Sequence, residues 1–354
     1  FRQQNINKKI IKMKKVLLML DLALFGLTTF AQKTYVMHYL PSLSFSQVEN
    51  YQSYDLVIVD HEVINNSAAS LRYLRELKPE IKILVYVEKM QWHEPMFPDK
   101  PWSLDVVAYL KNFPYWYLHD PAGKNLTFWP GTIMMNIRLD GWRYEIAGKS
   151  YSYIEWFTER YLEDIIGEYQ RQGIKLDGIL DDDLFRDISF LESGVDSDFN
   201  GQPDDYPELD RQWRLGNEYF LKEVRRVMGP DFIVIGNGGH GYYMNICDGK
   251  QFENFPEHYI GSWFDNLNNA AGMEIALFNA RVGNLDNWLF TICSAMLLDN
   301  TWFSQGQNLP YDPKYNLNLG RPLGLFYEEP GGFARRFERG IIHVQPEKDQ
   351  AWIE

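Results

Sequence analysis

The sequence predicts a single (β/α)8 TIM barrel, an α/β fold, and three observations indicate it. Strand-like apolar runs recur eight times after residue 31, with helical or loop segments between them. Polar residues stand at the carboxyl ends of most of these runs, which is where barrels place their chemistry. The 354 residues exceed one average domain but suit a barrel of about 250 residues with insertions.

The eight runs alternate with helical patterns, which favours a parallel sheet closed into a barrel. Breaker residues end the helices, at Lys78-Pro79, at Gly173 and at Gly229-Pro230. The last two runs are also compatible with helix. The predicted strands are Thr34–Leu40, Asp55–Asp60, Lys82–Glu88, Leu176–Asp182, Phe232–Asn237, Lys250–Phe255, Glu274–Asn279 and Leu297–Phe303. The segments predicted between them include Ser46–Tyr54 and the helices Ser67–Leu77, Tyr153–Gln172 and Arg211–Met228.

A long insertion rich in Trp, Pro and Gly is predicted after the third strand, over residues 89–150. Long ordered loops in compact domains are usually functional, and this one starts at the catalytic face. We expect it to form one wall of a cleft, with Trp129 presenting its ring to a ligand. Its other tryptophans that lack a regular periodicity are Trp92, Trp102 and Trp116.

Residues 1–31 are predicted to precede the folded domain, which takes residues 32–354. A basic segment, Met13-Lys14-Lys15, leads into an apolar run from Val16 to Leu27, and cleavage of this signal peptide is expected near Ala31. The run is too short for a membrane span, so we expect a secreted or periplasmic protein. Export permits a disulfide between Cys247 and Cys293, but their apolar surroundings equally favour two free, buried thiols.

Charge and composition narrow the function classes. A net charge of −13 argues against a nucleic-acid partner, because a phosphate backbone needs a basic surface. Aromatic residues make up 16% of the chain, and aromatic faces suit the C–H faces of sugar rings. The sequence has neither metal-ligand His or Cys spacing nor a phosphate-binding or dinucleotide motif, so we expect no required cofactor. Oligomeric state is not indicated.

The fourth predicted strand runs directly into three carboxylates, Asp181, Asp182 and Asp183. Alternation along the strand places Leu180 and Asp182 on one face and Asp181 on the other. We therefore expect Asp182 to point into the space that the strand ends surround. The alternative is an acidic loop that starts where the strand stops, or a cap on the next helix.

Five other predicted strands also end in polar residues, and together they define a polar cup. These residues are His38, Asp60 with His61, Tyr86 with Glu88, Asn237 and Glu253. We expect a carbohydrate to contact Asp60, Tyr86, Glu88, Trp129, Asn136 and Asn237. For Asp60 and Asn237, a loop-capping role is an equally good interpretation.

Motifs in a fixed order cover nearly the whole chain after the signal peptide and resemble a glycoside-hydrolase-like TIM-barrel family. That family is distantly similar to the endo-α-1,4-polygalactosaminidases. The resemblance implies a barrel acting on glycans, in which the Asp after an Asp-Gly-Ile strand and the Glu of a Phe-Glu-x-Phe strand are the catalytic candidates. An apolar residue normally stands at the position of Asp181 in that pattern, so Asp182 matches the expected carboxylate. The motifs include Tyr54–Asp60, Leu71-Arg72, Ile83–Val87, Trp116–Leu118, Asp120–Gly123, Trp129–Gly131, Met135–Ile137, Trp142, Asp177–Ile179, Ile235–Gly238, Phe252–Phe255, Leu319–Gly324 and Arg336–Gly340.

Asp182 and Glu253 are thus the predicted catalytic pair of a secreted glycoside hydrolase. Glycoside cleavage needs one protonated and one ionised carboxyl group, and burial and like charge separate two pKa values in this way. Asp60 and Glu88 are reserve candidates for the second carboxylate. The alternatives are a non-catalytic carbohydrate-binding protein on the same barrel, or a surface protein whose aromatic insertion binds a partner.

An acidic segment after the fourth strand has the alternating oxygen ligands of a calcium loop. Its candidate ligands are Asp196, Asp198, Asn200 and Asp204. It is not an EF-hand, because Pro207 stands where that motif needs Glu. We expect either a shorter structural Ca²⁺ loop or a solvated acidic loop.

Overall fold

The computed structural model describes residues 32–93, 100–191, 194–238, 241–280 and 287–354. The predicted signal peptide lies outside these residues. Within them, the search for a helix long and apolar enough to span a membrane found none.

Eight parallel strands form one nearly closed barrel, as the alternation of strands and helices predicted. Their order is β1-β2-β3-β8-β9-β10-β11-β12. Bridges from Thr34 to Phe303 and from Met37 to Gln307 bring the last barrel strand beside the first. The strands, in chain order, are β1 Tyr35–His38, β2 Leu56–Val59, β3 Lys82–Val87, β4 Gln91–His93, β5 Thr132–Met134, β6 Tyr144–Ile146, β7 Lys149–Tyr151, β8 Gly178–Asp181, β9 Ile233–Asn237, β10 Gly249–Phe252, β11 Ile275–Asn279, β12 Thr301–Ser304, β13 Tyr327–Glu329, β14 Gly332–Phe337, β15 Gly340–Gln345 and β16 Gln350–Ile353.

Helices follow most of the barrel strands and cover its outer face. The predicted helix Tyr153–Gln172 is present but contains a π-helical turn at Leu162–Ile166. The predicted eighth strand begins later than expected, at Thr301, because a helix extends to Met296. The helices are α1 Phe45–Tyr51, α2 Val63–Leu77, α3 Pro101–Leu110, α4 Tyr153–Tyr161, α5 Gly167–Arg171, α6 Tyr206–Met228, α7 Trp263–Ala271 and α8 Trp288–Met296.

Side-chain alternation along the strands divides the core into two parts. One set of residues fills the barrel interior and consists of Tyr35, Met37, Leu56, Ile58, Leu84, Leu180, Ile235, Leu277 and Trp302. Their neighbours along the strands, such as Val57, Val85 and Ile179, pack with the helices. Continuing the inward set past each strand end leads to Asp60, Glu88, Asp182, Asn237 and Glu253. The fold therefore gathers these residues at the carboxyl ends of the strands.

The segment between β3 and β8 carries α3 and two small antiparallel sheets, β4 with β5 and β6 with β7. Trp92, Trp102 and Trp116 are buried here, at 8%, 7% and 1% exposure, so they pack inside the protein. Trp129 is 55% exposed. Part of the predicted insertion, residues 94–99, lies outside the described residues.

A four-stranded antiparallel sheet, β13 to β16, follows the barrel and was not predicted. Its apolar residues Phe337, Ile342 and Val344 share one core cluster with Phe290 of α8. Short strands joined by tight turns give weak periodicity, so this segment was predicted only as part of the barrel domain. Both cysteines, Cys247 and Cys293, are free and buried.

Candidate active site

A cavity of about 360 Å³ opens at the carboxyl ends of the barrel strands. It combines aromatic side chains with five carboxylates. The lining residues are Tyr39, Asp60, His61, Tyr86, Glu88, Gln91, Trp92, Lys100, Ser103, Leu104, Val107, Trp129, Asp182, Asp183, Glu253 and Gln307.

Asp182 is held in this cavity by three hydrogen-bond donors. The Tyr86 hydroxyl donates to Oδ2 at 2.6 Å, and the Asn237 Nδ2 donates to Oδ1 at 2.7 Å. The backbone amide of Asp183 also donates to Oδ1, at 2.9 Å. Charge-assisted hydrogen bonds of this kind stabilise a carboxylate and fix its rotamer.

Glu253 lies next to Asp182 and shares a donor with it. The Asn237 Nδ2 lies 2.7 Å from Asp182 Oδ1 and 3.5 Å from Glu253 Oε2, so these two oxygens are at most the sum of those distances apart. Burial raises the pKa of Glu253, the negative charge of Asp182 raises it further, and the Asn237 hydrogen bond lowers it. The two neighbouring carboxyl groups therefore have different environments.

A second carboxyl pair, Glu88 and Asp183, lies in the same cavity. Burial raises the pKa of Glu88 well above its usual range, and burial with the nearby Asp182 charge raises the pKa of Asp183 to about 7. The negative charge of Asp183 raises the pKa of Glu88 further. Gln91 Nε2 donates to Asp183 Oδ2, and the Met90 amide donates to Glu88 Oε1 at 2.7 Å.

Sequence reasoning did not single out Asp183 because alternation sends it away from Asp182. A positive φ of 47° turns the chain at Asp183 and brings its side chain to the cavity. Asp tolerates this left-handed conformation better than most residues. In the sequence, the only indication that Asp183 belongs to the site is that it is the third of three consecutive acids.

Another wall of the cavity is formed by residues between β2 and α2 and by residues at the start of α3. Lys100 Nζ donates to Asp60 Oδ2 at 2.6 Å. Burial raises the pKa of Asp60, but the nearby His61 and Lys100 together lower it more, so the pKa lies below its usual value. The fully buried Glu62 accepts from the Ser103 amide at 2.7 Å, so it caps α3. His61 Nε2 lies 2.9 Å from Ser103 Oγ. His61 was predicted at this strand end, whereas Lys100 and Ser103 were not, because their proximity to Asp60 depends on how α3 docks.

Comparison with family models gives one match, over residues 75–341, to Hypothetical glycosyl hydrolase family 15. The chain belongs to this family. The matched residues include Tyr86, Glu88, Asp182, Asn237 and Glu253, which are the inward residues just described. A search of curated proteins found no match.

Solved glycosidase structures resemble this member of Hypothetical glycosyl hydrolase family 15 at low identity. A cycloalternan-degrading enzyme from Trueperella pyogenes is 12% identical with a TM-score of 0.45, over 77% of this chain and 42% of that one. An alpha-N-acetylgalactosaminidase from Bifidobacterium bifidum is 10% identical with a TM-score of 0.49, over 92% and 58%. A dextranase from Flavobacterium johnsoniae is 8% identical with a TM-score of 0.46, over 81% and 38%. This chain thus spans less than two thirds of the length of these proteins.

Two of the predicted ligand-contact residues, Trp129 and Asn136, differ in whether they line the cavity. Trp129 lines the cavity with an exposed ring. Asn136 is 2% exposed, and its Nδ2 donates to the carbonyl of Ser197 at 2.9 Å. Asn136 therefore braces the acidic loop and is not among the residues that line the cavity.

The acidic loop brings three of its four predicted ligands together. Carboxylate oxygens of Asp196, Asp198 and Asp204 lie within 4.8 Å of one another. The side chain of Asn200 forms hydrogen bonds within the loop. Its Nδ2 donates to Asp198 Oδ2 at 3.0 Å, and its Oδ1 accepts from the Gln202 amide at 2.8 Å. The loop contains oxygen donors that suit a hard cation such as Ca²⁺, and these same oxygens also accept protein hydrogen bonds.

Proposed function

We propose that this protein is a secreted glycoside hydrolase whose catalytic carboxylates are Asp182 and Glu253. The observation that carries the proposal is the contact of one nitrogen, Asn237 Nδ2, with both carboxyl groups at the wall of a cavity. Membership of a glycosyl hydrolase family supports the same reaction class. Secretion rests on the predicted signal peptide, and sequencing the exported protein from its amino terminus is expected to start near Gln32.

The environments of the Asp182 and Glu253 carboxyl groups suit different catalytic roles. Asp182, with three donors on its oxygens, is the ionised nucleophile that attacks the anomeric carbon. Glu253, whose pKa burial and the Asp182 charge raise, gives its proton to the leaving glycosidic oxygen. Glu253, then ionised, removes a proton from the water that releases the sugar from Asp182, which restores both groups.

The short separation favours retention of configuration. Inverting enzymes hold their carboxyl groups about 6.5–9.5 Å apart to leave room for water, and retaining enzymes about 5–5.5 Å. The shared Asn237 contact keeps the distance between one oxygen of each group, Asp182 Oδ1 and Glu253 Oε2, below the inverting range. We therefore expect the first product to keep the anomeric configuration of the substrate.

The cavity favours a neutral sugar that is rich in hydroxyl donors. Several of its own donors are already directed to protein acceptors, namely Tyr86 to Asp182, Lys100 to Asp60 and Gln91 to Asp183. The five lining carboxyl groups offer many acceptors, and the negative charge of Asp182 disfavours an anionic sugar. Asp60, Tyr86 and Glu88 surround the ring in this proposal, and Trp129 stacks on it. Asn237 is not among the lining residues and instead contacts the two carboxyl groups.

The test is turnover by the purified protein on a panel of neutral and uronic-acid polysaccharides, with NMR of the first anomer formed. Asp182→Asn and Glu253→Gln are each expected to lower kcat by at least about 10³-fold without loss of fold. Asp187→Asn, a half-exposed acid outside the cavity, is the matched control. Binding of an oligosaccharide without any cleavage contradicts the proposal and supports the alternative, a carbohydrate-binding protein.

A further inference from the structure

A buried ion pair lies on the outer face of the barrel, directly behind the cavity. Lys89 Nζ donates to both oxygens of Asp181, at 2.6 and 2.8 Å, and both side chains are completely buried. Lys89 follows the cavity residue Glu88, and Asp181 precedes the cavity residue Asp182. Because successive side chains of a strand point to opposite faces, the ion pair and the cavity carboxylates share the same backbone.

A third buried charge extends this arrangement to the next strands. Lys250 is completely buried, and its Nζ donates to the carbonyl of Gly238 at 3.2 Å. It also lies against Gly236, where an added Cβ would come within 2.7 Å of the Lys250 Nζ. Gly236 and Gly238 flank Asn237, so Lys250 contacts the backbone on both sides of the residue that bridges the catalytic pair.

The surroundings of these charges are apolar and aromatic. Lys89 Nζ lies 5.5 Å from the ring centre of Phe220, and Lys250 Nζ lies 5.4 Å from that of Tyr243. Burial lowers the pKa of Lys250, and burial raises the pKa of Asp181 against the opposing charge of Lys89. A buried ion pair is generally a weak source of stability compared with apolar residues of the same size.

We propose that Lys89, Asp181 and Lys250, here named the outer charge cluster, are positioning residues for the reaction. They join β3, β8, β9 and β10 from outside the barrel and so set the positions of Glu88, Asp182, Asn237 and Glu253 inside it. This inference rests on the proposed function. The outer charge cluster acts by fixing the positions of the strand ends, and its effect on the free energy of unfolding is secondary.

The deciding variant is the double substitution Lys89→Met/Asp181→Leu, which replaces the ion pair with apolar side chains of similar size. Such replacements commonly keep or increase stability. We expect the melting temperature to be retained while kcat falls about 10- to 100-fold with little change in KM, because small displacements of reacting groups are costly. If the double variant does not fold, Lys250→Met gives the second measurement, with the same expected split between kcat and KM.

A matched control is available at the other end of the same strand. Asp177, which is buried, forms an ion pair with the partly exposed Arg75 just before β8, at the amino end of the barrel. Asp177→Asn is expected to lower the melting temperature and leave kcat unchanged, since this pair is remote from the cavity.

Two outcomes overturn the inference: a folded double variant with the kcat of the wild type, or a Lys250→Met variant with that kcat. If the wild-type protein cleaves no glycan, the proposed function fails, and the crystal structure of the double variant then decides the positioning role separately. If Asp182 keeps its contacts with Tyr86 and Asn237 in that crystal structure, the positioning role is overturned. If Asp182 is displaced, the positioning role is supported.

Discussion

At the scale of single residues, Asn237 sets the relation between the two catalytic candidates. Its hydrogen bond lowers the pKa of Glu253, so removing the amide raises that pKa further. We expect Asn237→Leu to lower kcat about 10- to 100-fold, because Asp182 also loses a donor. In the proposed mechanism, activity requires protonated Glu253 and is lost as pH rises through its pKa. The alkaline limb of the pH profile of kcat/KM is therefore expected to move to higher pH in the variant. An unchanged alkaline limb would contradict the assignment of Glu253 as the acid.

Asp183 is a residue whose raised pKa is expected to make the stability of the protein depend on pH. Its folded pKa is raised to about 7, so between its ordinary value and pH 7 the folded state binds more protons than the unfolded state. Stability therefore falls as pH rises through this window. Asp183→Asn removes the effect and keeps the left-handed conformation accessible, since Asn tolerates it.

The measurement is unfolding by urea at pH 4 and pH 7.5. We expect Asp183→Asn to be more stable than the wild type at pH 7.5 by on the order of 2 kcal/mol, and by much less at pH 4. Asp231→Asn, at an exposed position, is the control. An equal gain at both pH values would show that the carboxyl group of Asp183 is not responsible.

At the scale of elements, the segment between β3 and β8 contains tryptophans that line the cavity and tryptophans that do not. Trp129 lines the cavity with 55% of its surface exposed, whereas Trp142 is 46% exposed and is not among the lining residues. We expect Trp129→Ala to raise KM about tenfold with little change in kcat, as for a group that binds substrate and transition state equally. Trp142→Ala should change neither constant. Equal effects of the two substitutions in steady-state kinetics would remove the stacking role from Trp129.

The acidic loop after β8 is a second element with a testable property. Three carboxylates lie within 4.8 Å of one another, and a divalent cation there would stabilise the folded state by mass action. We expect calcium to raise the melting temperature, chelator to lower it, and Asp198→Ala to remove the response. Arg138 Nη1 already lies 3.5 Å from Asp204 Oδ2, so an unchanged melting curve would identify a loop held by Arg138 and by backbone amides.

At the scale of the whole molecule, periodicity predicted most of the barrel and the residues at its mouth. Leu180 and Asp182 face inward and Asp181 outward, as alternation required, because a buried sheet leaves each side chain only two directions. The contact of Lys100 with Asp60 and the contact of Asn136 with the acidic loop could not be predicted in this way. They depend on the docking of α3 and of the acidic loop, which involves contacts between residues about 40 to 60 positions apart.

The C-terminal sheet is expected to unfold together with the barrel, although it forms a separate sheet. Arg335 of β14 is 2% exposed, and it donates to the Met296 carbonyl at the end of α8 at 3.0 Å and to Asp299 at 2.6 Å. Arg335→Met leaves a buried carbonyl without this donor, so we expect a loss of about 2–4 kcal/mol.

Calorimetry of this variant is expected to show one transition that moves to lower temperature as a whole, because Phe337 and Phe290 share one core. Arg336→Met, at the exposed neighbouring position of the same strand, should leave the transition in place. Two transitions, of which only the smaller responds to Arg335→Met, would instead show that the sheet is an independent domain. The boundary of the catalytic domain would then lie before β13, and the barrel alone would be the unit that carries the site.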